Sequence, residues 1–463
     1  MIGLMLDKPS QNMLISGSIS RGLLSFFFPI LFGTFFQQLY NTVDAIVVGQ
    51  FVGKQALAAV GGGTGTFVNL LVGLFTGIAS GASVLVSQNY GSKDRQDLQS
   101  SIRTGMSLCL IGSVIVTVIG LAISRWALVA ISTPADILDY SLSYLRIYFS
   151  GIIFMFIYNM GSGILRSIGD SRTPMFVLII GCFANIVLDL LFVVTFKLGV
   201  DGAAWATVIS QAICAGIVLY VMAHSKEDSA IFRMKNLSMD SRTLKRMLYL
   251  GIPAGIQSCM YGLSNIIIQS GINSLGTDTA AANAAYGRID VIFWMGVNSF
   301  GVAMTVFAGQ NYGSGNFSRL KKGTWIGLAL ALAWTALCSV AFLLFGRQIM
   351  TLFTSDENVL DIGVQILWTI APFFLTWISI EILSGTIRGC GQSLVPTLFT
   401  AFGICLVRVL WMAFAFPAFP SIITIMISYP LTWTLTSSLF WIYFRWGKWL
   451  RLDGKPLKLW SRL

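Results

Sequence analysis

Gln88-Asn89-Tyr90-Gly91-Ser92 recurs 222 positions later as Gln310-Asn311-Tyr312-Gly313-Ser314. At the same offset, Gly163-x-x-Arg166-x-x-Gly169-x-Ser171-x-x-Pro174 recurs as Gly385-x-x-Arg388-x-x-Gly391-x-Ser393-x-x-Pro396. Two separate motifs at one offset mark a duplicated chain, and Pro29 and Pro253 fit it approximately. Around both copies run long apolar segments, about twelve between Leu23 and Phe444, each near the roughly 20 residues that span a bilayer as a helix. Six spans per copy is an even number, so the two copies share one orientation and are related by an axis along the membrane normal. The reading is an all-α integral membrane protein, with twelve transmembrane helices in two six-helix bundles.

Composition agrees. Of the 463 residues, 55% are hydrophobic and 11% charged, against about 25% charged in soluble domains. Long unbroken runs do not suit a β-barrel, whose strands are short and alternating, and helices are the other way to satisfy backbone polar groups in lipid. The net charge of +11 does not imply a nucleic-acid partner, because the basic residues lie in loops between spans. They concentrate after even-numbered spans, as with Lys93, Arg95, Arg319, Lys321, Lys322, Arg445 and Lys448. Acids such as Asp136, Asp139, Asp201, Asp278 and Asp356 follow odd-numbered ones. This bias places both termini in the cytoplasm. The expected organisation is an N-terminal bundle at 1–224, a polar connector at 225–246, a C-terminal bundle at 247–445 and a basic tail at 446–463. Seven cysteines without a Cys-x-x-Cys pair and a single histidine, His224, give no disulfide frame or metal site. The first apolar run is long and lacks a small-residue cleavage site, so no cleavable leader is expected.

Charges inside spans carry the functional reading. Met175–Phe196 is apolar except for Asn185 and Asp189, which share a helix face one turn apart. A carboxylate at the centre of a span costs about 2.5–3.5 kcal/mol on insertion scales, so it is kept to bind or to pair. Asp44 stands late in the first span. The second copy does not repeat the pair, since Val407 and Trp411 occupy the equivalent positions. It has its own buried charges, Glu381 and Arg408, expected to pair across neighbouring helices, and Asp290 with them as a gating or cavity residue. Tyr40, Gln257, Met260, Tyr261, Trp294 and Met295 are candidates to line a substrate cavity, aromatic and methionine surfaces being adaptable. Pro29 is a candidate hinge, because proline removes a helix hydrogen bond.

Together the repeated Gln-Asn-Tyr-Gly, the repeated Gly-x-x-Arg-x-x-Gly with its downstream proline, Asp44 and Asn185-x-x-x-Asp189 resemble the multidrug and toxic compound extrusion (MATE) family over essentially the whole chain. The resemblance implies a V of two six-helix bundles. It implies antiport by alternating access in a prokaryotic plasma membrane: organic, cationic or amphipathic compounds leave as sodium ions or protons enter. By the same resemblance the cation site lies in the N-terminal bundle, at Asp44, Asn185 and Asp189, with Thr207 as a hydroxyl ligand and Asn159 as a nearby amide. Oxygen ligands suit a hard cation. No cofactor beyond the coupling ion is expected, and a monomer suffices. The alternative is a flippase for a lipid-linked precursor in the same superfamily. Enzyme chemistry is not expected: Asp136-x-x-Asp139 stands in a short outer loop with no histidine or further acid beside it.

Overall fold

The computed structural model describes residues 13–61, 63–131, 133–225, 231–452 and 455–456. Outside them lie the first residues of the N-terminal lead, Lys226 with the rest of 226–230 in the connector, and the end of the basic tail with Lys458.

Among the described residues, twelve helical segments succeed one another. They are α1 Ile19–Phe51, α2 Gly63–Ser92, α3 Arg95–Ala130, α4 Ala135–Ser150 with Ile152–Ser167, α5 Arg172–Thr195 and α6 Gly199–Ala223. The second set is α7 Ser241–Ser274, α8 Thr277–Gly313, α9 Phe317–Met350, α10 Glu357–Gly389, α11 Leu394–Ala418 and α12 Ile422–Trp446. A short helix, Lys54–Gly61, precedes α2, and Arg451–Leu452 pairs with Lys455–Pro456 after α12. Ten segments are long and apolar enough to cross a membrane, and the bent α4 makes an eleventh. The remaining one, α7, is as long as the others at 34 residues. Gln257, Ser258, Ser264, Asn265 and Gln269 interrupt its apolar face.

The chain divides into two compact units. One comprises 25–255 of the described residues; the other comprises Met13–Leu24 and Ile256 onward. The division falls inside α1 and α7.

In the first unit α2 and the start of α7 meet backbone to backbone. A Cβ on Gly77 would lie 2.1 Å from the Gly255 amide nitrogen, and one on Gly251 would lie 2.6 Å from the Ile78 Cα. Gly77-x-x-x-Gly81 and Gly251-x-x-x-Gly255 are thus opposed small-residue faces, the arrangement that lets helices in lipid approach closely. Phe75 of α2 stacks on Phe156 of α4 with ring centroids 3.5 Å apart. The second unit has its own stack, Phe293 of α8 on Phe374 of α10 at 3.9 Å.

Both units break the fourth helix of their set. The segments of α4 meet at Gly151 with a 50° bend, where the chain passes so close to Val208 that a Cβ would collide with its methyl groups. A bend frees helix carbonyls that must find donors in lipid. Thr117 of α3 donates its hydroxyl to the Phe149 carbonyl at 3.0 Å. In α10 the break is the 3₁₀ turn Ala371–Phe373. There Ser339 of α9 donates to the Ala371 carbonyl at 2.8 Å. Donor and acceptor each stand 222 positions after their counterparts, so the duplication extends to how each break is satisfied.

Candidate functional site

The first unit buries the carboxylates expected from sequence. Asp44 on α1 is 9% exposed, Asn185 on α5 1% and Asp189 0%. One Asp44 oxygen, both Asp189 oxygens and both amide atoms of Asn185 have no hydrogen-bond partner. Asp44 and Asp189 lie near enough to repel one another, and the Tyr144 hydroxyl of α4 lies within electrostatic reach of both. Tyr40, half-buried one turn before Asp44, also feels that charge. Beneath them an apolar cluster joins Val47 and Val48 of α1, Tyr144, Val193 of α5, and Ala203 and Ala204 of α6.

The regular helix of α5 ends at its carboxylate. From Leu190 to Thr195 the helix widens into a π turn starting immediately after Asp189. Such turns insert an extra residue and recur at functional sites. Thr207, half-buried one turn beyond Ala203, donates its hydroxyl to the Ala203 carbonyl at 3.1 Å, leaving the oxygen lone pairs for a ligand. Asn159 is half-buried on α4, and no hydrogen bond ties it to the carboxylates. Pro29 is buried within a helix that continues unbroken through it. Sequence reasoning missed Tyr144 and the π turn. The spacing Tyr140, Tyr144, Tyr148 marks one face of α4 and was the available signal for Tyr144.

The second unit arranges its charges differently. The expected Glu381–Arg408 pair does not form. The Glu381 carboxylate instead lies 3.7 Å from the guanidinium of Arg388, seven residues on along the same face of α10. A Cβ on Gly301 of α8 would overlap the Glu381 carboxylate, so that glycine makes its room. Arg408, 3% exposed, donates to the Thr432 hydroxyl at 3.3 Å and covers the Tyr429 ring at 4.1 Å. The physical reason lies just before it: the π turn Ala401–Leu406 of α11 shifts the facing of the residues beyond it, and Arg408 turns toward α12.

Asp290 accepts a 2.6 Å hydrogen bond from the Trp294 indole one turn along α8. Gln257 donates to the Thr400 hydroxyl at 3.1 Å. Tyr261 and Trp294 both approach Trp377, with ring centroids 6.2 and 5.0 Å away. Of the remaining cavity candidates, Met295 is buried and Met260 half-buried.

A helical membrane protein that repeats a set of six spans and buries unpaired carboxylates within one set has the build of a secondary transporter. The family described as MatE matches residues 29–191 and 253–435, one stretch in each copy of the repeat. The chain is 31% identical over 394 residues to "Probable multidrug resistance protein YoeA" of Bacillus subtilis (strain 168), covering 84% of this chain and 85% of that one. It is 24% identical to "Probable multidrug resistance protein NorM" of Thermotoga maritima, over 84% of each chain. Its fold matches a structure described as "Outward-facing conformation of a multidrug resistance MATE family transporter of the MOP superfamily", with a TM-score of 0.88 and 22% identity over 95% of this chain and 98% of that one. The chain therefore belongs to the MatE family of multidrug efflux transporters, and it is a multi-pass membrane protein.

Proposed function

We propose that this chain is an antiporter that exports organic cationic or amphipathic compounds in exchange for an inward-moving monovalent cation, sodium ion or proton. The observation that carries the reading is the Asp44–Asp189 pair, buried in the first unit with carboxylate oxygens that no protein group satisfies. Burying such groups unpaired costs several kcal/mol, and a bound cation removes that cost. Carboxylate and amide oxygens from Asp44, Asp189 and Asn185 suit a hard cation, with the Thr207 hydroxyl as a further proposed ligand; a carboxylate pair equally suits a shared proton.

Exchange is a consequence of linkage. A cation bound at Asp44 and Asp189 favours a state in which the exported compound binds weakly, and the compound favours the state in which the cation leaves. In that cycle Pro29, in the helix that carries Asp44, is the hinge. The basic ends of the even-numbered helices, with Arg95 after α2 and Arg319 after α8, face the cytoplasm of a prokaryotic cell.

The test is ethidium efflux from cells carrying this chain, with sodium and proton gradients imposed separately. Acceleration under one gradient alone identifies the coupling ion. Equal efflux with both gradients collapsed contradicts antiport.

A further inference from the structure

The two copies of the Gln-Asn-Tyr-Gly motif use their asparagines differently. Asn89 reaches the next helix, donating to the Asp97 carbonyl at 3.1 Å and the Ser101 hydroxyl at 2.8 Å. Asn311 reaches back 297 residues and donates to the Leu14 carbonyl at 3.0 Å. Arg319, at the start of α9, closes on the same stretch. Its guanidinium donates to the carbonyls of Met13, Leu14, Ser16 and Gly17 at 3.0, 3.2, 3.2 and 2.8 Å. That occupies most of the five N–H donors an arginine has. Leu14 is 3% exposed, and Gly17 makes the turn into α1 at φ +76°, which glycine adopts without strain.

What is held is the start of α1. Met13–Leu24 belongs to the second unit, and α1 from Ser25 onward belongs to the first. A Cβ on Gly22 would lie 2.6 Å from the Met13 carbonyl oxygen, whereas one on Gly33 would lie 3.2 Å from Leu178 of α5. Pro29 stands between these two contacts, in a helix unbroken from Ile19 to Phe51. At 1.5 Å per residue, about 37 Å of helix separates Ile19 from Asp44. The soft point of that rod is the proline, where a helix hydrogen bond is missing. With its start fastened, a displacement of the second unit bends α1 at Pro29 instead of slipping past the first turn. The stretch before α7 is tied to α3 at the corresponding place in the first unit. There Ser107 donates to the Ser238 carbonyl and Thr104 accepts from the Asp240 amide, both at 3.2 Å.

We propose that Arg319, with Asn311, is a positioning residue for export: it fastens the start of α1 to the second unit, so that cation binding at Asp44 in the first unit is felt in the second through the bend at Pro29. The proposal rests on the export reading for the cation at Asp44. The clamp itself holds backbone carbonyls and needs no ion.

The experiment is equilibrium binding of ethidium to the full chain in lipid nanodiscs, read by its fluorescence, with and without saturating sodium and across pH. Wild type is expected to bind ethidium at least about fivefold more weakly with the effective cation bound. Arg319→Gln brings that ratio to within about twofold of one, while its cation-free ethidium affinity stays within about twofold of wild type. Arg319→Lys keeps part of the ratio, since an ammonium offers donors without the fork. A merely structural residue would lower the amount of binding-competent protein and leave the ratio of the remainder unchanged. A wild-type ratio in Arg319→Gln, or loss of ethidium binding in both Arg319 variants, overturns the proposal and leaves the export reading standing. A wild type whose ethidium affinity ignores both sodium and pH overturns the export reading, and this proposal with it.

Discussion

The two units descend from one six-helix pattern, yet they treat buried charge in opposite ways. In the first, Asp44 and Asp189 lie within reach of each other without hydrogen-bond partners for most of their oxygens. In the second, Glu381 has Arg388, Asp290 has the Trp294 indole, and Arg408 has Thr432 and the Tyr429 face. The backbone frame is held in common, down to the hydroxyl that satisfies each broken helix. A duplicated scaffold thus keeps its frame while one copy leaves two carboxylates without an ion-pair or hydrogen-bond donor for most of their oxygens. The other gives each buried charge at least one protein partner, with Asp290 Oδ1, Arg388 Nε and Arg408 Nε still unpaired. Function is located by where polar groups are left unsatisfied, more than by where they occur.

Substitutions put this contrast to the test. The largest effect is expected at Asp189. Asp189→Asn should reduce gradient-driven ethidium efflux by about tenfold or more while leaving the protein folded, since the amide relieves rather than adds buried charge. Thermal melting and transport measured on one preparation check both parts.

Next comes the close approach of α2 and α7 at Gly77 and Gly255. Gly77→Ala places a Cβ against the Gly255 backbone, which cannot rotate away. The expected loss is about 2–3 kcal/mol, as for overpacking. The equivalent position in the second unit is Ser299, whose hydroxyl only returns to the Met295 carbonyl at 2.6 Å. Ser299→Ala should cost about 1 kcal/mol or less. Denaturation midpoints in one detergent compare the two.

Where the units agree, substitutions should agree. Thr117→Val and Ser339→Ala each leave a carbonyl at a helix break without its donor, at about 1 kcal/mol apiece. Unequal costs would show that one break is supported by something besides its hydroxyl.

Glu381→Gln should have the smallest effect. Its ion pair is long and partly exposed, worth about 0–1 kcal/mol. Melting temperature should shift by a few degrees at most, with coupling kept.

Much of this was legible in the sequence. The offset of 222 residues carried the duplication, and the isolated carboxylates in apolar spans carried the site. What stayed illegible depends on local departures from regular helix. The bend at Gly151 and the turn at Ala371–Phe373 leave apolar periodicity intact, and the only marks of them in residue type are Gly151 and Pro372, which the apolar pattern overrode. The π turns after Asp189 and before Arg408 rotate the residues beyond them, so facing read at 3.6 residues per turn fails there. That is why Arg408 reaches Tyr429 and Thr432 rather than Glu381. Arg388 was visible as the motif arginine, but its motif runs forward to Pro396 and gives no sign of a partner seven residues earlier. Tyr144 was hidden for another reason, since an aromatic residue in a membrane span reads first as packing.

The central claim is that the first unit couples and the second does not. Uphill ethidium movement in proteoliposomes, with sodium and proton gradients imposed separately, tests it for Asp44→Asn, Asp189→Asn and Glu381→Gln beside wild type. The account predicts that both aspartate variants lose uphill movement under the gradient that drives wild type, while Glu381→Gln keeps it. Uphill movement at the wild-type rate by either aspartate variant, or its loss in Glu381→Gln alone, would contradict it.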